Sequence, residues 1–166
     1  LKPTNTVTFS VNSSIEDRPG FMQWVDVVES DAGRFSDSDG KYDIIYAKTK
    51  RRQINTKLRM NIAFNSRMTF EAFYQPFNVD MDYQDYYRLD EKYSFKTSSF
   101  NYSENKDFEI NNQRGTFVYR WEYRPGSLLY VVYNLNDNNY YSDQDREWDQ
   151  SKSNSLFLKF DYFFQS

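Results

Sequence analysis

Apolar and polar residues alternate with period two in six stretches of the chain. Between residues 56 and 64, Leu58, Met60, Ile62 and Phe64 alternate with Lys57, Arg59, Asn61 and Ala63. Neighbouring side chains of a strand point to opposite faces, so the pattern predicts a strand with one apolar and one polar face. After a short turn at 65–67, Met68, Phe70, Ala72 and Tyr74 alternate with Thr69, Glu71, Phe73 and Gln75, which makes a tight hairpin. A second hairpin follows the same plan. Phe117, Tyr119, Trp121 and Tyr123 oppose Arg120, Glu122 and Arg124, Pro125-Gly126 turns the chain, and Leu129, Val131, Tyr133 and Leu135 continue on the next strand. The last strand sets Leu156, Leu158, Phe160, Tyr162 and Phe164 against Lys159 and Asp161, and the first sets Val7, Phe9 and Val11 against Thr6, Thr8, Ser10 and Asn12. Residues 22–29 and 41–49 read as weaker strands, joined by the polar stretch 31–40.

The connections come in two lengths. Those at 65–67 and 125–126 are tight, whereas about 78–107 and 136–153 read as long, acidic loops rich in Tyr and Asn. Short turns at one end and long loops at the other are the rhythm of an outer-membrane barrel, with the turns periplasmic and the loops outside. A C-terminus on the periplasmic side puts both tight turns there.

Composition sharpens this reading. The mean hydropathy of −0.91 and the lack of any apolar run near the roughly 18 residues that a spanning helix needs exclude a helical membrane protein. They do not weigh against a barrel, whose strands alternate lipid-facing and lumen-facing residues. With 15 Tyr and 15 Phe, the chain is rich in rings that suit the two membrane interfaces, where an apolar body meets a wet tip. The competing assignment is half of a soluble β-sandwich with a solvated outer face. Trp and Tyr at successive outward positions argue against it. The expected fold is therefore all-β: the C-terminal portion of an antiparallel transmembrane β-barrel, with about six to eight strands present in a single segment, 1–166. Leu58, Met60, Ile62, Phe117, Tyr119, Trp121, Leu129, Val131, Leu158, Phe160 and Tyr162 are expected to face lipid. Lys57, Arg59, Glu71, Arg120, Glu122, Arg124, Lys159 and Asp161 are expected to face the lumen, where opposite charges on neighbouring strands can pair.

Charge and chemistry narrow the function. There is no Cys and no His, which removes disulfides, the usual zinc sites, Cys nucleophiles and Ser-His arrangements, so no enzyme and no cofactor is expected. A net charge of −3 supplies no basic field for nucleic acid. Asp80, Asp82, Asp85, Asp90 and Glu91, and the run Asp137, Asp143, Asp145, Glu147 and Asp149, lack calcium-loop spacing; Asp37-Ser38-Asp39-Gly40 is only a fragment of one. They read as solvated acidic loops. Trp148 with Tyr140 and Tyr141 reads equally as a sugar-stacking platform or as loop packing. No signal peptide is visible at Leu1, so the chain is expected to be a mature protein or the C-terminal piece of a longer one.

The segment Arg114-Gly115-Thr116-Phe117-Val118-Tyr119-Arg120-Trp121-Glu122-Tyr123-Arg124-Pro125-Gly126-Ser127-Leu128-Leu129-Tyr130 resembles the penultimate hairpin of an outer-membrane β-barrel domain of unknown function. That domain occurs C-terminal to a family-9-like carbohydrate-binding module in Bacteroidota proteins. Phe73-Tyr74-Gln75-Pro76-Phe77 is similar to the same family's Tyr-Ala-Gln-Pro-Phe segment, with Phe73-Tyr74 in place of Tyr-Ala. Asn65-Ser66-Arg67 replaces its usual Thr-Pro-Asn turn. The likeness covers roughly 41–166 and implies an outer-membrane location and further strands before Leu1. The functional expectation is a porin- or transporter-like barrel passing or gating a small hydrophilic solute or glycan. The alternative is a non-transporting barrel subunit of a larger machine for secretion, motility or assembly. Partners expected are outer-membrane lipids, other outer-membrane proteins or lipoproteins, and glycans.

Overall fold

The computed structural model describes residues 6–164, and among them there is no helix. Nine strands form one sheet: β1 (Thr6–Glu29), β2 (Phe35–Ser36), β3 (Lys41–Asn65), β4 (Met68–Leu89), β5 (Thr97–Ser99), β6 (Phe108–Arg124), β7 (Ser127–Ser142), β8 (Glu147–Lys152) and β9 (Ser155–Asp161). All pairings are antiparallel. The long strands follow one another in chain order, β1-β3-β4-β6-β7, and β8 and β9 lie end to end along β7. The result is an up-and-down meander of six legs. β2 and β5 are short additions within the connections at 30–40 and 90–107.

The sheet is open and does not close on itself among the described residues. β1 forms one edge, β8 and β9 form the other, and no pairing joins them among the described residues.

Strand lengths differ from expectation as well. The segments 6–12 and 22–29 are parts of a single strand of 24 residues, and 41–49 and 56–64 are parts of one of 25. The polar stretches between them stay in the ladder because their side chains pair across it. Ser13 and Thr56 share a hydroxyl bond of 2.9 Å, and Arg51 meets Glu16 at 3.3 Å. The long loop expected from 78 begins only at residue 90, since Val79 and Met81 are buried and hold the acidic alternation Asp80, Asp82 in strand form. The loop expected at 136–153 shrinks to a turn at 143–146.

Proline and glycine mark the irregularities. Pro76 has no N–H to give, and the β3–β4 pairing lapses there between Asn55↔Phe77 and Leu58↔Tyr74. Pro19 sits on the edge strand, where a missing donor costs least, beside a bulge at Gly20 (φ 75°). The Pro125-Gly126 turn uses a φ of 78° at Gly126, a conformation without penalty only for glycine.

Residues paired across antiparallel strands share a face, so the register assigns every side chain in the ladder. One row runs Val7, Ile62, Phe70, Tyr119, Val131, Leu158, and the next runs Phe9, Met60, Ala72, Phe117, Tyr133, Leu156. Val11, Leu58, Tyr74, Gly115 and Leu135 form the row above, while Met68, Trp121, Leu129 and Phe160 lie below, next to the tight turns. This apolar band is about seven to nine residues tall, close to the roughly 25 Å of a barrel's lipid-facing belt. The opposite face carries Thr8, Asn61, Glu71, Val118, Val132 and Phe157 in one row and Ser10, Arg59, Phe73, Thr116, Asn134 and Ser155 in the next.

Burial is arranged the reverse of a soluble sheet. The apolar band is uncovered, with Phe9 63% and Phe160 68% exposed. Ile45, Ala47 and Thr49 are fully buried, yet they lie on the polar face, at the end away from the tight turns.

Candidate functional site

What covers that buried end is the connection 90–107. After β5 pairs beside β4, the chain turns back across the polar face: the Phe100 amide donates to the Tyr86 carbonyl, and the Arg88 guanidinium stands over the Phe100 ring at 5.7 Å. The rings of Tyr86 and Tyr102 lie 4.9 Å apart, and the Tyr102 hydroxyl donates to Asp26 on β1 at 2.6 Å. The segment thus passes over β3 and reaches the edge strand. Burial first, and then the bond to Asp26, push the Tyr102 hydroxyl well above the ordinary tyrosine range, so it remains a donor. On the other side, Lys106 contacts Glu104 and donates to Gln144 at 3.0 Å, and the Asp143 amide donates to the Asp107 carbonyl at 3.0 Å. The bonded Lys106 ammonium holds Glu104 below the usual carboxylate range, whereas burial pushes Asp107 up. A buried acid, Asp43, anchors the far end by accepting from the Arg34 amide (3.1 Å) and from Arg88 (3.4 Å).

Below this cover the polar face is open, and two depressions lie along it. One of about 430 Å³ is lined by Arg59, Asn61, Glu71, Phe73, Thr116 and Val118. The next, of about 260 Å³, is lined by Asn55, Gln75, Phe77, Asn112 and Arg114. Carboxamides, hydroxyls, guanidinium groups and aromatic rings alternate along the track. Gln75 donates to Asn55 at 2.8 Å and Thr116 to Asn134 at 3.1 Å, so some of these groups hold one another in place.

The register puts Lys57, Arg59, Glu71, Arg120, Glu122, Lys159 and Asp161 together on this face. The cross-strand ion pairs expected among them are absent from the described residues. Lys159 pairs with Asp161 on its own strand at 3.0 Å and stands over Tyr130; Glu122 accepts from the Gly126 amide at 2.9 Å and so belongs to the turn. Arg124 departs from the set. A register shift between Glu122 and Arg124 reorients it, and its guanidinium donates to the Tyr162 hydroxyl at 2.7 Å, just beyond β9. Leu58, Met60, Ile62, Phe117, Tyr119, Trp121, Leu129, Val131, Leu158 and Phe160 share the opposite, apolar face.

The acidic residues show varied roles. Asp80 and Asp82 lie opposite Arg52 and Lys50 in the ladder, and the Asp37 carboxylate accepts from the Asp39 amide in a local turn. No group of three or more acidic residues among the described residues is placed to hold a metal ion. The rings of Tyr141 and Trp148 pack at a tilt with centroids 5.1 Å apart, while Tyr140 packs on Phe108 on the other face, so the three form no common platform.

The family model described as a domain of unknown function (DUF5916) matches residues 4–165. The chain belongs to that family. The match takes in β1, where the resemblance read from the sequence began only near residue 41. No curated protein and no solved structure matches the chain. Within this family domain, sequence reasoning missed Arg114, Asn112 and Asn134 as members of the polar face. They were recoverable by extending the alternation of β6 and β7 past the apolar band. The Tyr102 to Asp26 contact joins residues 76 apart and carries no local signal.

Proposed function

We propose that this domain is part of an outer-membrane β-barrel whose apolar face meets lipid and whose polar face lines an aqueous lumen, passing or gating a small hydrophilic solute or a glycan. One observation carries the reading: the apolar residues form a continuous bare band of bilayer height, while the polar residues line the opposite face. Water would make such a band strongly unfavourable at about 25 cal/mol per Å² of apolar surface, whereas hydrocarbon removes that cost. Rings at the band's turn-side rim, Trp121, Tyr123 and Tyr162, suit a headgroup region. The two unpaired sheet edges support closure with further strands.

The test is reconstitution of the full-length protein in planar bilayers. Stepwise conductance that grows when residues 100–106 are replaced by a short Gly-Ser link would support a lumen narrowed by the cover. Silent bilayers with correctly folded protein would contradict it.

The fold of 90–107 across the polar face favours a second reading, a plugged, non-transporting barrel that serves as a subunit of a larger outer-membrane assembly. Stable copurification with other outer-membrane proteins or lipoproteins, together with no conductance in either form, would decide for it.

A further inference from the structure

At the level of the apolar band, the polar face has a charge balance that the chain as a whole does not. The chain carries a net charge of −3. Yet between the Asn55 row and the Arg120 row this face presents Lys57, Arg59, Arg114 and Arg120, with Glu71 as its one unpaired carboxylate. None of the four cations forms an ion pair among the described residues. Elsewhere on the sheet some basic side chains are neutralised, as Arg51 is by Glu16, Arg88 by Asp43 and Lys159 by Asp161.

Three of them are also well placed to act together. Asn12 pairs with Lys57 and Gln75 with Arg114, which puts Lys57 and Arg114 on either side of Gln75 in one row. Two strand spacings separate them, roughly 10 Å between backbones, so long side chains from both can reach one ligand group between them. Arg59 is in the adjacent row, its guanidinium over the Phe73 ring at 5.4 Å, a contact that fixes its plane without consuming its charge. Arg59 and Arg114 are exposed and line the depressions, Arg114 beside the carboxamides of Asn55 and Asn112 and the ring of Phe77, and Lys57 is exposed on the same face.

We infer that this face selects and binds solutes bearing oxyanions, carboxylate, phosphate or sulfate, on a hydroxyl-rich body, with Arg59 and Arg114 as the main charge-selecting groups. Guanidinium pairs suit the planar, two-oxygen geometry of such anions, and rings of basic side chains are the usual basis of anion selectivity in pores. Asn, Gln and Thr side chains beside them supply donors and acceptors for hydroxyls. The inference rests on the reading of the polar face as a lumen wall.

Reversal potential of the full-length protein in planar bilayers under a tenfold KCl gradient tests selectivity. The expected chloride-to-potassium permeability ratio exceeds about 3, falls to about 1 in an Arg59→Gln/Arg114→Gln variant, and persists in Arg59→Lys/Arg114→Lys and in a control, Lys41→Gln, at the other end of the sheet. A cation-selective or non-selective pore, or selectivity unmoved by the double glutamine variant, would overturn the inference while leaving the transport reading standing. Silent bilayers would instead remove the transport reading. The anion site is then decided by fluorescence titration of the folded protein in detergent with the trisulfonate pyranine. Binding that weakens about tenfold in the double glutamine variant, and that glucuronate but not glucose displaces, supports the site. Absence of pyranine binding, or equal binding by the variant, overturns it.

Discussion

Lysine placed at Tyr119 and at Val118 should have opposite consequences for membrane insertion. Tyr119 pairs with Phe70 and Val131 on the apolar face, in the middle rows of the band, with Trp121 one step nearer the tight turn and Phe117 one step farther. In the proposed barrel an ammonium there costs about 2–4 kcal/mol near the bilayer midplane, roughly 30- to 700-fold in the folding equilibrium. Val118 pairs with Glu71 and Val132 on the polar face. A lysine there lies directly across from a carboxylate, a pairing that contributes about 0.2–1 kcal/mol in its favour, while Arg120 two residues along opposes it by a similar amount. The expected net effect is within about 1 kcal/mol. The assay is urea-dependent folding of the full-length protein into lipid vesicles, read by heat-modifiable gel mobility. Tyr119→Ala serves to subtract the lost ring. Equal tolerance of Tyr119→Lys and Val118→Lys, or greater damage from Val118→Lys, would refute the facing assignment.

Three further outcomes follow from the cover and its anchors. Asp43→Ala removes the acceptor for the Arg34 amide and for Arg88, and should destabilise the folded protein by about 2–3 kcal/mol in urea; a loss under about 0.5 kcal/mol would contradict its anchoring role. Tyr102→Phe deletes a hydroxyl bond to a carboxylate, and amides 100–106 should lose about tenfold in hydrogen-exchange protection while those of β6 keep theirs; unchanged exchange at 100–106 would refute the tether. Glu104, held below the ordinary carboxylate range by Lys106, contributes stability that is present above its unfolded value and lost as pH falls through the lowered one. A spin label at Ser103 should therefore stay immobile from about pH 8 to about pH 5 and loosen toward about pH 3. Asp107, pushed up by burial, acts in the opposite sense, so loosening as pH rises above the ordinary aspartate range would assign control to Asp107 instead.

Within the apolar band, the side-chain pattern made the fold legible: where one face is wholly apolar, period two is unmistakable, and Leu58, Phe117 and Leu158 were each placed with their neighbours. Above the band the signal fails for a physical reason. There the face that continues the apolar band turns charged, with Asp80 and Asp82 opposite Arg52 and Lys50, and what keeps β4 extended to Leu89 is the ladder itself with buried Val79 and Met81 on the other face. Alternation in that stretch was masked by Asp80, Asp82 and Asp85, which read as loop. Arg124 was misplaced because a bulge shifts phase by one residue, and no local residue announces it. The cover was illegible altogether, because residues 100–107 reach their partners Tyr86, Asp26 and Gln144 only through the register of intervening strands. Openness of the sheet was likewise invisible, since alternation describes faces and not edges.

The absence of cysteine makes the central claim directly measurable. Single cysteines at positions 116 to 121 of β6, each carrying a nitroxide in the full-length protein in lipid vesicles, report collisions with oxygen, which concentrates in hydrocarbon, and with a water-soluble nickel chelate. Strict alternation is expected: 117, 119 and 121 collide with oxygen, and 116, 118 and 120 with the chelate. Chelate collisions of equal strength on both faces, as a solvated sheet would give, or an inverted phase, would contradict it.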